Sequence, residues 1–231
     1  MNMRNRSTLT AAVLGLSSLT APAWAYEAGD WIVRGGLAGV FPQDSSSEVG
    51  PFPDSGVSVD NGYGVGISLS YMMSSSFAVE LLGALPFSHD IQAEGSLSDF
   101  GQIGETKHLP PTLLANYYLP KLANGTIQPY AGVGFNYTLF FDEDTTDSLN
   151  PAIGEYDLEL EDSTGIALQL GADFDVGNDI QFNIGMWWID IDTTGTVSFE
   201  GDPADPSDDG TATVDVDIDP IVLMIGFAKR F

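Results

Sequence analysis

Residues 63–71 read YGVGISLSY and alternate at every position between a large apolar residue and Gly or Ser. A period of two predicts a β-strand, because successive side chains point to opposite faces. The apolar face begins at Tyr63 and ends at Tyr71, as lipid-facing strands do where they meet the two membrane–water interfaces. The length also suits a tilted strand that crosses a bilayer. The stretch therefore predicts a transmembrane β-barrel.

The amino-terminal residues have the composition of a secretory signal. Arg4 and Arg6 precede an apolar run at residues 9–19, and an A-x-A cleavage site ends at Ala25. We expect residues 1–25 to be a signal peptide and residues 26–231 to form the exported barrel. The chain has no cysteine, so its stability cannot depend on disulfides.

The same alternation recurs along the chain and predicts eight antiparallel strands. Their approximate bounds are residues 30–41, 63–71, 77–89, 107–119, 129–141, 163–175, 180–199 and 211–231. On the third strand, the outward set runs from Phe77 to Phe87. Long connections at 42–60, 90–106, 142–162 and 200–210 alternate with short ones, and the third has room for a short helix. Short periplasmic turns and long external loops are typical of outer-membrane barrels.

The charge is strongly acidic, with 33 Asp and Glu against 7 Lys and Arg and a net charge of -26. Such a chain is excluded as a nucleic-acid binder, because affinity for phosphates requires basic residues. Most of the acids fall in the four long connections. We therefore expect acidic extracellular loops that attract divalent ions near lipopolysaccharide.

A soluble alternative remains at this stage, because lipocalin-like barrels also have eight strands. Parity alone does not say which face is inside. The Tyr-ended apolar face, the opposite face of Gly and Ser, and the terminal Phe231 favour the membrane. A strand that ends the chain on Phe is usual in bacterial outer-membrane barrels, and we expect Phe231 to be bound by the barrel-assembly machinery.

Several motifs resemble the OmpW family of outer-membrane proteins. They are VELL at 79–82, KHLPPT at 107–112, QPYAGVG at 128–134, NYT at 136–138, FFD at 140–142, WIDIDT at 188–193 and DP at 219–220. The resemblance implies a bacterial outer-membrane barrel with a hydrophobic lumen, associated with passage of small hydrophobic molecules, and alkane-uptake proteins belong to the same family. Lys229 departs from the family pattern, since an aromatic residue is expected there.

The residues that the alternating pattern places on the inner face give the lumen a charged base and an apolar waist. At the short-turn end, we expect the charged residues to pair, since an unpaired buried charge is costly; these are Arg34, Glu80, Asp173 and Arg230. Higher up, the predicted ligand path is lined by Leu82, Leu114, Tyr118, Phe140, Trp187, Val222 and Met224. The resemblance places Leu82 and Trp187 at the constriction. The alternative is that these side chains merely fill a small barrel.

Prolines occur at similar heights on two neighbouring strands, at Pro86 on the third and at Pro110 and Pro111 on the fourth. Proline cannot donate to a β-ladder. We therefore predict a lateral opening between these strands near the outer leaflet, through which an apolar solute reaches the bilayer. The alternative is that the prolines only end the strands.

His89 and His108 lie near the outer ends of the same two strands. We expect a solvated pair rather than a metal site, because no Cys or carboxylate is fixed between them. No catalytic spacing is present, so neither an enzyme nor a cofactor is predicted. The predicted function is passive uptake of small hydrophobic molecules. The alternative is a structural or adhesive barrel with a plugged interior that acts through its acidic loops.

Overall fold

The computed structural model describes residues 26–146, 156–199 and 210–231, so the predicted signal peptide lies outside the described residues. The described strands are β1 Trp31–Phe41, β2 Ser45–Ser46, β3 Ser55–Val59, β4 Gly62–Met72, β5 Phe77–Ala84, β6 Phe87–Gly95, β7 Gln102–Leu109, β8 Thr112–Tyr118, β9 Ile127–Thr145, β10 Tyr156–Leu160, β11 Ser163–Gly177, β12 Ile180–Ile189, β13 Asp192–Phe199, β14 Gly210–Asp217 and β15 Ile221–Arg230. Two 3₁₀ turns occur at Ser98–Phe100 and Ala123–Gly125. None of the helices within these ranges is long and apolar enough to cross a membrane.

Eight of these strands close into an antiparallel barrel, as predicted. The order around it is β1, β4, β5, β8, β9, β11, β12 and β15, with β15 paired back to β1. At this closure Gly36 lies opposite Gly226. A Cβ added to Gly36 would lie 2.7 Å from the Cα of Gly226, so the strands approach more closely than larger residues allow.

The outer surface of the barrel is apolar and ends in aromatic pairs. On β4, the side chains from Tyr63 to Tyr71 alternate between exposed apolar residues and buried or half-buried Gly and Ser. Trp31 packs on Tyr71 at the short-turn end, with ring centroids 4.8 Å apart. Phe41 packs on Tyr63 at the other end, at 6.0 Å. These belts mark the two interfaces of a membrane-spanning barrel.

The segments predicted as long loops form strands of a second, extracellular tier. One sheet joins β3, β6, β7 and the end of β9, and another joins β10, β13, β14 and β2. On β14 the acidic residues point outward and alternate with apolar residues that are more buried, at Val214-Asp215-Val216-Asp217. Because these segments contain many acidic residues, they resemble loops, although their side chains alternate with a period of two. Within 142–162, strands β9 and β10 occupy described residues on the two sides of 147–155, and the part of the segment left for the predicted short helix, residues 147–155, lies outside the described range.

Breaks between the tiers divide four of the predicted strands. The third strand ends at Ala84 and β6 begins at Phe87, so Pro86 lies in the break. The prediction that Phe87 faces outward is wrong, since it is only 2% exposed. The two residues between β5 and β6 shift the parity by one, which turns the Phe87 ring into the barrel.

Candidate ligand cavity and barrel interior

An ion-pair network closes the base of the barrel. Arg34 donates to Glu80 Oε2 at 3.0 Å and to Asp173 Oδ2 at 2.7 Å, and all three side chains are buried. Arg34 also donates to Ser70 Oγ at 2.8 Å. Gln169 donates to the second oxygen of Glu80 at 2.9 Å. The guanidinium therefore satisfies two carboxylates in a narrow interior, where either carboxylate alone would be costly to bury.

Three tyrosines complete this base. Tyr26 donates to Asp173 Oδ2 at 2.6 Å. Arg34 donates to the Tyr118 hydroxyl at 3.0 Å and lies 4.9 Å from the centre of the Tyr130 ring. Tyr118 is predicted to line the apolar path, but in the structure it belongs to this polar base. Tyr118 is the last residue of β8, and a buried Tyr hydroxyl usually finds a hydrogen-bond partner.

Arg230 does not join the network, contrary to the prediction. It pairs instead with Asp179 and lies 3.8 Å from Asp30, at the rim of the barrel, with about a third of its side chain exposed. Arg230 is the last residue of β15, and its partner Asp179 lies in the adjacent turn before β12. The alternating pattern correctly predicted that Arg230 lies on the inner face, but not its position along the barrel axis.

The predicted waist is a packed cluster rather than an open path. Leu82, Leu114, Trp187, Val222 and Met224 form one buried group with neighbouring apolar residues. Trp187 is 1% exposed. Its ring lies over Gly185, where an added Cβ would come within 2.5 Å of Cη2. Phe140 packs against the upper edge of the group. In this structure the waist is closed.

A cavity of about 290 Å³ lies above the waist, inside the extracellular tier. Its walls are almost wholly apolar and come from both sheets; they include Val57, Ile91, Ile103, Leu158, Val214 and Val216. Of the predicted path residues, only Phe140 lines it. The cavity was not predicted, because the acidic composition of these segments is typical of loops. The signal was present in stretches such as Val57-Ser58-Val59 and Leu158-Glu159-Leu160, which alternate.

The two histidines line this cavity as a buried pair, so the expectation of a solvated pair is wrong. His89 is 3% exposed and His108 is 7% exposed, and their rings stack with centroids 4.8 Å apart. Burial, together with a smaller effect of the neighbouring His89, lowers the pKa of His108 to about 3. Burial also lowers the pKa of His89. Both imidazoles are therefore neutral at pH 7.

The three prolines flank an interruption in the ladder. The β5–β8 pairing ends at Leu82 opposite Thr112, and the β6–β7 pairing begins at Phe87 opposite His108. The backbone beside the seam keeps its hydrogen bonds to the neighbouring strands. The N–H of Leu85 donates to the carbonyl of Val65, and the carbonyl of Pro111 accepts from the N–H of Tyr137. The three prolines at this interruption are Pro86, Pro110 and Pro111. The Phe87 ring packs beside His108 at 5.6 Å, on the interior side of the seam.

A group of carboxylates lies at the junction between the two tiers. Carboxylate oxygens of Asp190, Asp192 and Asp219 lie within 4.8 Å of one another. Partial burial raises the pKa of Asp192, and the charges of Asp190, Asp217 and Asp219 raise it further. This group is not apparent from the sequence, because its members come from two separate strand breaks.

Comparison with known proteins identifies the family. The OmpW family model matches residues 27–231. The chain belongs to the OmpW family. It is 40% identical over 222 residues to outer membrane protein W of Vibrio cholerae, covering 96% of each chain. It is 28% identical over 212 residues to outer membrane protein AlkL of Ectopseudomonas oleovorans, covering 89% of this chain and 84% of AlkL.

The barrel also matches a solved structure of this family. The crystal structure of the outer membrane protein OprG from Pseudomonas aeruginosa superposes with a TM-score of 0.80 and 38% identity, over 89% of this chain and 97% of OprG. The OmpW-family chain described here is therefore a bacterial outer-membrane protein, as predicted from its sequence. The soluble-barrel alternative is set aside.

Proposed function

We propose that the protein mediates passive uptake of small hydrophobic molecules across the outer membrane. The observation that carries the proposal is the apolar cavity of about 290 Å³ in the extracellular tier. An apolar cavity with few polar groups suits a small hydrophobic ligand rather than an ion, which needs polar contacts along its path. The resemblance to alkane-uptake members of the family supports the same class of solute.

The exit that fits this interior is lateral. A solute that moved straight down would have to cross the packed waist and then the Arg34 network, which buries two carboxylates. A route through the seam beside Pro86 and Pro111 lies above the Arg34 network and breaks no β5–β8 or β6–β7 ladder bond, and the one member of the packed cluster that lies at the seam is Phe87. Phe87 covers the interior side of the seam, so its ring has to move when a solute passes.

Uptake by cells tests the function. Cells with and without the protein are compared with a hydrophobic probe and a polar probe of equal size. We expect the protein to accelerate entry of the hydrophobic probe only. Equal entry of both probes in both strains would contradict transport and favour the structural or adhesive alternative, in which the closed interior is a plug.

Two changes at the seam test the lateral exit. Phe87→Ala removes the ring that covers it and is expected to speed hydrophobic uptake. A disulfide between Ser88→Cys and Lys107→Cys, which are paired directly above the gap, is expected to slow uptake until it is reduced. A matched staple between Asp90→Cys and Glu105→Cys, paired further up the same hairpin, serves as control. Equal effects of the two staples would contradict a lateral route.

Three partner and processing assignments belong to the same proposal. The signal peptide at residues 1–25 is removed on export, and the acidic outer face of the extracellular tier lies among lipopolysaccharide. The exposed ring of Phe231 is bound by the barrel-assembly machinery. Phe231 also exchanges backbone hydrogen bonds with Trp31, at 2.8 and 3.1 Å, so it joins the last strand to the first. Deleting Phe231 is expected to lower the yield of folded barrel in cells.

A further inference from the structure

We infer that the cavity selects hydrophobic molecules that carry one hydrogen-bond donor, such as an alcohol, a phenol or a protonated carboxylic acid, and that His89 Nε2 accepts this hydrogen bond. The inference rests on the proposed function, since it names the class of solute that the cavity takes. It is carried by the hydrogen bonds of His89, by its burial and by the apolar walls around it.

The tautomer of His89 follows from its one partner. Nδ1 lies 2.6 Å from the backbone carbonyl oxygen of Asp60. A carbonyl only accepts, so Nδ1 carries the proton and donates. A neutral imidazole has one N–H, which leaves Nε2 with a lone pair and makes it an acceptor only.

Nε2 has no partner within the part of the chain that the structure describes. It is a buried nitrogen without a hydrogen bond, whereas most buried polar atoms are bonded. Leaving such an atom unbonded is costly. A donor brought by a ligand removes this cost, whereas an ether, ester or ketone of the same shape brings only a second acceptor.

The ring of His89 is held between His108 and Gly62, and Nε2 is itself buried, so a ligand in the cavity reaches this nitrogen by displacing the ring slightly. His89 is stacked on His108 at an interplanar angle of 27°. Its Nε2 edge lies over Gly62, where an added Cβ would come within 2.6 Å of Nε2. Asp60 and Asp90 act on the ring electrostatically and raise its pKa, but burial is the larger effect and lowers it. The ring is therefore held neutral, in the state that accepts.

The cavity wall explains why a single donor is favoured. Nearly all of its lining is apolar, and the exceptions are the two histidines and a few threonines. A ligand with several polar groups would leave most of them unbonded. A ligand with an apolar body and one O–H group can bury its body against the walls and direct the hydroxyl to His89.

Binding of a matched pair of probes tests the inference. The purified protein in lipid nanodiscs is titrated with 1-naphthol and with 1-methoxynaphthalene, and empty nanodiscs of the same lipid correct for partitioning. The probes share an apolar body, but only naphthol donates. We expect naphthol to bind roughly tenfold more tightly, the effect of one hydrogen bond to a buried acceptor. In His89→Phe, which keeps a ring beside His108, we expect the ratio of the two affinities to fall to about one.

Two further variants separate the acceptor from a change in cavity shape. Gly62→Ala places a methyl group against the Nε2 edge and is expected to remove the preference while His89 is still present. Ser88→Ala, the outward-facing neighbour of His89, is expected to keep it. A wild-type ratio of one, or a ratio unchanged in His89→Phe, would overturn the inference. If 1-methoxynaphthalene binds without any preference for naphthol, the uptake proposal stands and only the donor selection fails. If neither probe binds above empty nanodiscs, both fail.

Discussion

Arg34 and Asp173 meet across the barrel interior, with Nη2 donating to Oδ2 at 2.7 Å. Arg34 is on β1 and Asp173 is on β11, and these strands are not neighbours in the barrel. The contact therefore spans the lumen. Because Arg34 also bonds Glu80 on β5, one side chain ties three separate parts of the wall together and closes the base.

Arg34→Met is expected to destabilise the barrel strongly. The change leaves Glu80 and Asp173 buried without their cation, and breaking a buried pair in this way costs about 3–5 kcal/mol. The temperature at which the folded band disappears in heat-modifiable gel mobility measures the loss. Arg230→Met is the matched control, since its pair with Asp179 is exposed and contributes little. Equal losses in the two variants would mean that the Arg34 network does not stabilise the fold.

Ile67→Arg is expected to reduce insertion into the membrane. Ile67 lies midway along β4 between the two Tyr belts and is exposed to lipid. An arginine at this depth costs about 2–4 kcal/mol. Thr211→Arg introduces the same charge on the outer face of β14, in the extracellular tier, and is expected to fold normally. Folding yield in lipid vesicles measures both, and similar yields would contradict the assigned lipid face.

Trp187→Ala is expected to loosen the waist without creating an ion channel. Removing a buried Trp costs about 3–5 kcal/mol of stability, and the thermal transition of the barrel reports this. The base stays closed by Arg34, so the conductance of planar bilayers containing the variant is expected to remain at background. Trp188→Ala, on the lipid side, leaves the cluster intact and is expected to cost less stability. A steady ion current in Trp187→Ala would show that the waist alone closes the barrel.

Acid is expected to loosen the extracellular tier. The pKa of His108 falls from 6.5 to about 3 on folding, because burial disfavours its charged form. Between these values the unfolded tier binds more protons, so the stability contributed by neutral His108 is present above pH 6.5 and is lost as the pH falls towards 3. Amide exchange of β6 and β7, corrected for the intrinsic rate, is expected to be faster at pH 4 than at pH 7. In His108→Phe this pH dependence is expected to shrink, and an unchanged dependence would assign it to other groups.

The barrel itself could be predicted from local sequence. The face that a residue occupies in a strand depends only on its parity, so YGVGISLSY was enough to indicate a membrane strand and its two interfaces. The same reasoning gave the inward positions of Arg34, Glu80 and Asp173. It failed at Phe87, because two residues at the Pro86 break shifted the parity.

The cavity and its histidines were decided by the tertiary structure. In the acidic segments, apolar and charged residues also alternate, but sequence does not say whether such strands end at the membrane or extend beyond it. Pairing of β6 with β7 and of β13 with β14 continues the barrel outward and buries His89 and His108. Depth along the barrel axis likewise depends on the stagger between distant strands. For that reason Asp173 meets Arg34, while Arg230 pairs at the rim. The place of a residue in the alternating pattern determines which face of the strand it occupies, but only closure of the whole sheet determines its position along the barrel axis.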